Sequence, residues 1–269
     1  MRRLVTWVLG LAIALSVLFV GGLFLSQDSM IFPAPGGPAP RGSDDLTLEG
    51  IDTPDGERLA ALWHAPELGE ATVLFLHGNA AAIAHLAPFA REFMDEGYGF
   101  LVPAWRGYPG STGEPSERGL LIDAEAAFDW AAARTNGPVV VYGESLGSGP
   151  AVHLAGVRAP AALVLEAPYD SVLAVSAARF SFVPVAPLLR HPFRSDERIG
   201  SVRAPILIVH GDRDQIIPIS HGRALHAVAP EGAQFHEVPG ASHFNIGELA
   251  LPRILSFVRE AIPMADVER

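Results

Sequence analysis

Val139-Val140-Val141-Tyr142-Gly143-Glu144-Ser145-Leu146-Gly147 runs from a short apolar segment straight into a Gly-x-Ser-x-Gly turn, and the residues from Gly147 to Val157 read as a helix. A serine between two such glycines sits on a strained strand-to-helix turn. The glycines remove the Cβ atoms that would collide where strand, turn and helix approach closely. The bare pattern is moderately specific; a buried strand before it and a helix after it are what give it weight. Working outward, similar apolar runs occur at Thr72–Leu76, Gly99–Val102, Ala162–Leu165 and Ile206–Val209. Each is continuously apolar rather than alternating, as expected of parallel strands buried on both faces. Between and after them lie helical patterns at Ala81–Glu96, Ser116–Arg134, His221–Ala229 and Ile246–Ala261. In the second of these, Leu120, Leu121, Ala124, Ala127 and Phe128 are expected to face the core, with Asp123, Glu125 and Asp129 exposed. Alternating strands and helices predict a doubly wound α/β fold whose ligands bind beyond the carboxyl ends of the strands. Two earlier runs, near Leu46–Ile51 and Arg58–His64, are expected to add an antiparallel edge. The rhythm breaks between Tyr169 and Ala204, which marks a small cap. Its apolar residues, among them Phe180, Phe182, Leu188, Leu189 and Phe193, are interrupted by Pro184, Pro187 and Pro192, so short turns are expected rather than one long helix.

The residue types at the strand ends carry a chemistry. A serine is a weak nucleophile until a general base takes its proton and an acid orients that base. His210-Gly211-Asp212-Arg213-Asp214 follows the Ile206–Val209 run, and Gly240-Ala241-Ser242-His243 precedes the last helix. Ser145, an aspartate of the first segment and His243 therefore fall in order along the chain. Acyl transfer also needs two backbone N–H donors for a developing oxyanion. Leu146, beside the serine at a helix start, is one candidate; Asn79, in His77-Gly78-Asn79-Ala80 after the first parallel strand, is the other. The His77 side chain is expected to be structural, and Glu144 to bond locally. His153 is expected to be packed or half-exposed, and Arg106 to pair with a nearby carboxylate. His210, Asp212 and Asp214 could be read as metal ligands, but no second histidine cluster has helical i, i+4 spacing, and no metal is expected.

Composition narrows the field. The chain has 269 residues, 19 basic and 30 acidic, for a formal charge of −11, which argues against a nucleic-acid partner. It contains no cysteine, and all its cations are arginine. That removes thiolate, disulfide and cysteine–zinc chemistry together with lysine Schiff bases. At the amino terminus, Arg2 and Arg3 precede Leu4–Leu25, 22 uncharged residues that as a helix would span roughly 33 Å, enough for a ~30 Å hydrocarbon core. The run is too long for the apolar part of a cleaved signal and lacks a small-x-small end, so residues 1–25 are read as an uncleaved transmembrane anchor. Arginines before it and Asp28 after it place the amino terminus in the cytoplasm. The rest is then on the non-cytoplasmic side, periplasmic or extracellular in a bacterium. Residues 26–43, rich in proline and glycine, are expected to be a linker that lifts the domain off the membrane.

His77-Gly78-Asn79-Ala80, Arg106-Gly107-Tyr108 with Ser111-x-Gly113-x-Pro115-Ser116-Glu117, the elbow at Ser145, His210-Gly211-x-x-Asp214 and Gly240-Ala241-x-His243 together resemble the α/β-hydrolase superfamily. Within it the chain is most similar to the Bem46-type serine hydrolases, membrane-anchored relatives of ABHD12, 13 and 17. The resemblance covers nearly the whole chain. It departs at Trp105, where tyrosine is usual, and at Ala81 and Ser242, where glycines are common; residues 169–204 match poorly. It implies an eight-stranded, mostly parallel sheet with helices on both faces, a catalytic domain over 44–269 with its cap at about 169–204, and no cofactor. It implies Ser145, Asp214 and His243 as the catalytic residues, because the family's G-x-x-D pattern read from Gly211 selects Asp214 over Asp212, which is left as a turn former. It implies hydrolysis of a carboxylic ester or thioester, on a small-molecule or lipid-like substrate; the oligomeric state has no signal in the sequence, and a monomer is the default expectation. A peptide-cleaving aminopeptidase of the same fold and a non-catalytic binding module are the alternatives.

Overall fold

The computed structural model describes residues 2–262; Met1 of the expected anchor and residues 263–269 of the expected domain lie outside these. Eight strands form one sheet: β1 (Thr47–Asp52), β2 (Arg58–His64), β3 (Thr72–Leu76), β4 (Gly99–Pro103), β5 (Val139–Glu144), β6 (Ala162–Glu166), β7 (Ile206–Gly211) and β8 (Gln234–Val238). Their order is β1-β2-β4-β3-β5-β6-β7-β8, antiparallel where β2 meets β1 and β4 and parallel elsewhere. The five continuously apolar runs are the central strands, and each is buried along nearly its whole length. β8 has no such signature. It is an edge strand, Gln-Phe-His-Glu-Val, largely exposed and recognisable only by its pairing with β7.

Among the described residues seven helices follow the amino-terminal one: α2 (Ala87–Met94), α3 (Glu117–Ala132), α4 (Ser148–Val157), α5 (Val172–Arg179), α6 (Ser195–Arg198), α7 (Ile219–Ala227) and α8 (Ile246–Ala261). Side-chain alternation along β5 shows which face each covers. Tyr142 packs edge-to-face with Phe89 and Phe93 of α2, whereas a Cβ on Gly143 would point 2.5 Å from the Ala151 Cβ of α4. Successive strand residues face opposite sides, so α2 and α4 cover opposite faces of the sheet. The helix expected over Ala81–Glu96 is shorter than its apolar pattern: a 3₁₀ turn at Ile83–Leu86 precedes α2, whose second residue, Pro88, has no N–H to extend it backward. Asp123, expected on the surface of α3, is fully buried instead, because it is the partner of Arg106. Within the cap, α5, short turns and α6 replace any long helix, as the prolines require.

The amino-terminal helix α1 runs Arg2–Ile31 and is the one helix among the described residues long and apolar enough to cross a membrane. It continues six residues into the expected linker. Gln27 explains why: its amide nitrogen donates to the carbonyls of Phe24 (2.9 Å) and Leu188 (3.2 Å), and its oxygen accepts the Arg190 N–H at 2.8 Å. Tertiary contacts, not periodicity, hold these last turns helical. The next two residues are held as well. Phe32 is buried against His191 and Phe193, and the Pro33 carbonyl accepts the Ala80 N–H at 3.0 Å. The start of the expected linker is therefore a strap lying on the domain as far as Pro33.

Candidate active site

The turn after β5 puts Ser145 at φ +49°, a left-handed conformation that a non-glycine residue adopts only under surrounding constraint. That constraint is visible in the flanking glycines. A Cβ on Gly147 would overlap the Leu76 carbonyl oxygen and sit 2.5 Å from its carbon, and one on Gly143 would meet α4. Neither glycine has positive φ; both serve close approach rather than backbone freedom. Gly78 likewise lets the loop after β3 pass beside the elbow, since its Cβ would lie 3.3 Å from that of Ser145.

Three loops at strand carboxyl ends bring Ser145, His243 and Asp214 together. The Ser145 hydroxyl lies 3.0 Å from His243 Nε2, and His243 Nδ1 lies 2.6 Å from Asp214 Oδ2. Asp214 Oδ1 accepts the backbone N–H groups of Ile216 and Ile217, each at 2.9 Å. Burial opposes the Asp214 charge. The nearby His210 imidazole, the His243 N–H and the Ile217 amide outweigh it, and hold the carboxyl well below the usual carboxylate range. His210 itself lies 3.5 Å from Asp214 but 2.8 Å from the Ile217 carbonyl, and the shorter contact is its hydrogen bond. Asp212 stands apart: it accepts the Gly240 N–H at 2.7 Å in an exposed turn and does not reach His243.

The two candidate oxyanion donors flank the serine. The Leu146 amide opens the 3₁₀ turn Ser145–Gly147, where no intrahelical acceptor precedes it. The Asn79 amide appears in none of the loop hydrogen bonds of the described residues, whereas its neighbours are committed: Gly78 N–H donates to Glu144 Oε2 (3.1 Å) and Ala80 N–H to Pro33. His77 is fully buried. Its Nδ1 donates to the Gly78 carbonyl at 2.7 Å, its own carbonyl accepts Trp105 Nε1, and burial lowers its pKa to about 4, so it is a neutral structural residue.

Motif reading missed an acid pair beneath these loops, Glu166 buried and Glu144 half-buried. Glu144 and Glu166 are register partners on β5 and β6. Glu166 accepts the Tyr142 hydroxyl at 2.6 Å and the Gly247 N–H at 2.7 Å. Burial raises both carboxyls; Glu166, with the Glu144 charge beside it, is pushed up to about 7. The two thus tie the Asn79 loop and the first turn of α8, just past His243, to adjacent strand ends. Arg106 is the other buried polar centre, donating to Asp123 Oδ1 from Nε (2.9 Å) and Nη2 (2.7 Å), and to Asp55 from Nη1 at 2.8 Å. His153 is half-buried and contacts Glu125 at 2.9 Å.

Comparison with known proteins agrees with this architecture. A family profile described as "Serine aminopeptidase, S33" (Hydrolase_4) matches residues 69–195. An uncharacterized protein of Mycobacterium tuberculosis (strain ATCC 25618 / H37Rv) is 35% identical over 256 residues, 90% of either chain. The alpha/beta hydrolase domain-containing protein 17C of Xenopus tropicalis is 34% identical over 207 residues, 71% of this chain and 63% of that protein. The lysophosphatidylserine lipase ABHD12 of Macaca fascicularis is 30% identical over 201 residues, 65% of this chain and half the length of that protein. Among solved structures, an esterase of Pyrococcus furiosus superposes with a TM-score of 0.69 at 18% identity, covering 85% of this chain and 97% of its own, which shows the shared fold.

Proposed function

The chain belongs to the α/β-hydrolase superfamily, with Bem46/ABHD-type relatives, and from that premise we propose that it is a membrane-anchored serine esterase or thioesterase acting through an acyl-enzyme. One observation carries the reading: an unbroken hydrogen-bonded relay from the Ser145 hydroxyl through His243 to Asp214. In the proposed reaction Ser145 Oγ attacks the acyl carbon while His243 Nε2 takes its proton. Asp214 holds Nδ1–H and stabilises the imidazolium that forms. The carbonyl oxygen becomes an oxyanion received by the Leu146 and Asn79 amides. Its collapse breaks the bond to the alcohol or thiol, which leaves with the proton from His243. Water then repeats the cycle on the acyl-serine, releasing the acid and restoring the enzyme.

Arg2 and Arg3 before the apolar helix and Asp28 after it favour the catalytic domain on the non-cytoplasmic side. The aminopeptidase alternative needs carboxylates free to hold a substrate ammonium. Glu144 and Glu166, the acids nearest the elbow, are engaged by Gly78, Tyr142 and Gly247 instead. The test is labelling of the full-length protein by a fluorophosphonate probe, with turnover of p-nitrophenyl esters and an acyl thioester. Ser145→Ala is expected to abolish labelling and to lower kcat by about 10⁴-fold or more, with little change in thermal stability. Labelling that survives the substitution would assign the nucleophile to another residue.

A further inference from the structure

Between α1 and the cap lies a cavity of about 460 Å³, within the roughly 300–1,000 Å³ usual for ligand pockets. One wall is the carboxyl half of the anchor: Val20, Leu23 and Phe24. The facing wall is the cap, with Val175 of α5 and Leu188 of the turns that follow. The lining is mostly apolar, with Gln27, Ser176 and Arg179 its polar members. Ile216, whose N–H donates to Asp214 Oδ1, lines it, as does Val20 of the apolar run expected to cross the bilayer. Phe182 of the cap is 73% exposed and packs with a tilted ring against Phe19 of α1 at 5.8 Å, so the cap meets the apolar run of α1.

Polar contacts matched in direction fix this arrangement, which apolar collapse alone would not supply. Gln27 bridges Leu188 and Arg190 through both ends of its amide. Asp28 faces Arg190 at 3.1 Å and His191 at 3.2 Å, and the Arg190 guanidinium also reaches the Phe24 carbonyl at 3.2 Å. A span-length helix thus has its last turns built into the domain, and the space left between it and the cap is lined by the apolar run of α1, by the cap and by Ile216 of the Asp214 loop.

We propose that this cavity is the acyl-binding site and that the membrane anchor is one of its walls, so that one long acyl chain of a membrane lipid enters sideways along α1 from the bilayer. The inference rests on the hydrolase reading above and adds the substrate class and route. A water-soluble short acyl ester leaves the cavity unfilled. An acyl chain fills it with methylenes, each removed from water or drawn from lipid without leaving an apolar surface.

The test uses full-length protein in phosphatidylcholine nanodiscs and p-nitrophenyl esters from acetyl to hexadecanoyl, with active sites counted by fluorophosphonate labelling. Wild-type kcat/KM is expected to rise with chain length by up to about tenfold per two methylenes until the cavity is full. Leu23→Trp on the anchor and Val175→Trp on the cap, each filling the cavity from its own side, are expected to lower the long-to-short ratio at least tenfold. Leu11→Trp, on α1 but away from the cavity, is expected to keep the wild-type profile. A hexadecanoyl ester with a terminal diazirine, used on the wild type, should cross-link to peptides from both α1 and the cap. A profile peaking at acetyl, unchanged ratios in the filled variants, equal loss in Leu11→Trp, or cross-links confined to other elements would each overturn the proposal. Failure of wild-type Ser145 to label at all would instead overturn the hydrolase reading beneath it.

Discussion

Replacing Asp214 by asparagine removes one charge while leaving most of the site's packing in place. The substituted side chain keeps an oxygen for the Ile216 and Ile217 amides, which Asp214 Oδ1 now accepts at 2.9 Å. Its amide NH₂ then faces His243 Nδ1, where the carboxylate now sits at 2.6 Å. Two donors cannot face each other, so Nδ1 must become the acceptor and the ring proton moves to Nε2. That nitrogen, 3.0 Å from the Ser145 hydroxyl, can no longer take its proton. The expected loss in kcat is about 10⁴-fold, or about 5.5 kcal/mol of transition-state stabilisation. Stability should fall far less, by about 1.5–3 kcal/mol for one charge-assisted hydrogen bond. The pH dependence has a definite sign. Asp214 titrates below its ordinary value of 3.8, so its contribution is complete above that value and is withdrawn as pH falls through the folded-state pKa. The asparagine variant should lack that part of the acid limb. Asp212→Asn, which disturbs an exposed turn bond to Gly240, should cost less than about tenfold. The assay is steady-state hydrolysis of p-nitrophenyl butyrate normalised to labelled sites, with thermal unfolding across acid pH. If Asp212→Asn were the more damaging variant, or Asp214→Asn kept a tenth of wild-type kcat, the acid would be misassigned.

Gly147→Ala should prevent stable folding, costing more than about 4 kcal/mol, because its methyl group meets the Leu76 carbonyl; Gly156→Ala, where only the Ser201 hydroxyl is close, should leave the thermal midpoint nearly unchanged. Glu166 is held above its ordinary value of 4.5, up to about 7, so its contribution is complete below 4.5 and lost as pH rises through about 7; the thermal midpoint of Glu166→Gln should therefore fall less than the wild type's between about pH 5 and 8. Arg106→Met leaves the fully buried Asp123 unpaired and should destabilise by about 3–5 kcal/mol in urea titrations, and a second change, Asp123→Leu, should recover most of the loss.

What was legible in the sequence follows from how each residue is held. The central strands announce themselves because both faces are buried, so Val140 and Leu163 have no polar alternation to hide them. The elbow, the histidine loop and the acid turn are readable because Ser145, His243 and Asp214 stand just past strand ends in glycine-marked turns, and the fold brings them into one hydrogen-bonded row. Asp123 misleads because its helix position looks solvent-facing, and only the fold brings Arg106 across from the loop after β4. β8 is silent because an exposed edge strand needs no apolar code. Glu144 and Glu166 stand 22 positions apart, and their adjacency exists only through the register of β5 with β6. No local pattern could have paired them.

The amino-terminal segment shows the same limit with a functional consequence. Hydropathy marks a span but cannot show that Gln27 and Asp28 dock it, since a lone glutamine after an apolar run has no partner visible in the sequence. Once docked, the strap that follows is short and committed. Phe32 enters the core, and the Pro33 carbonyl takes the Ala80 N–H, one residue beyond the Asn79 amide assigned to the oxyanion. Ala80 has φ +54°, a strained conformation that needs an external hold, and Pro33 supplies one. The segment that follows α1 thus braces the loop carrying the Asn79 amide, and α1 itself forms one wall of the cavity under the cap. A helix that only tethered the domain would need neither contact; in the proposed reading, where α1 guides a lipid acyl chain toward Ser145, both have a use.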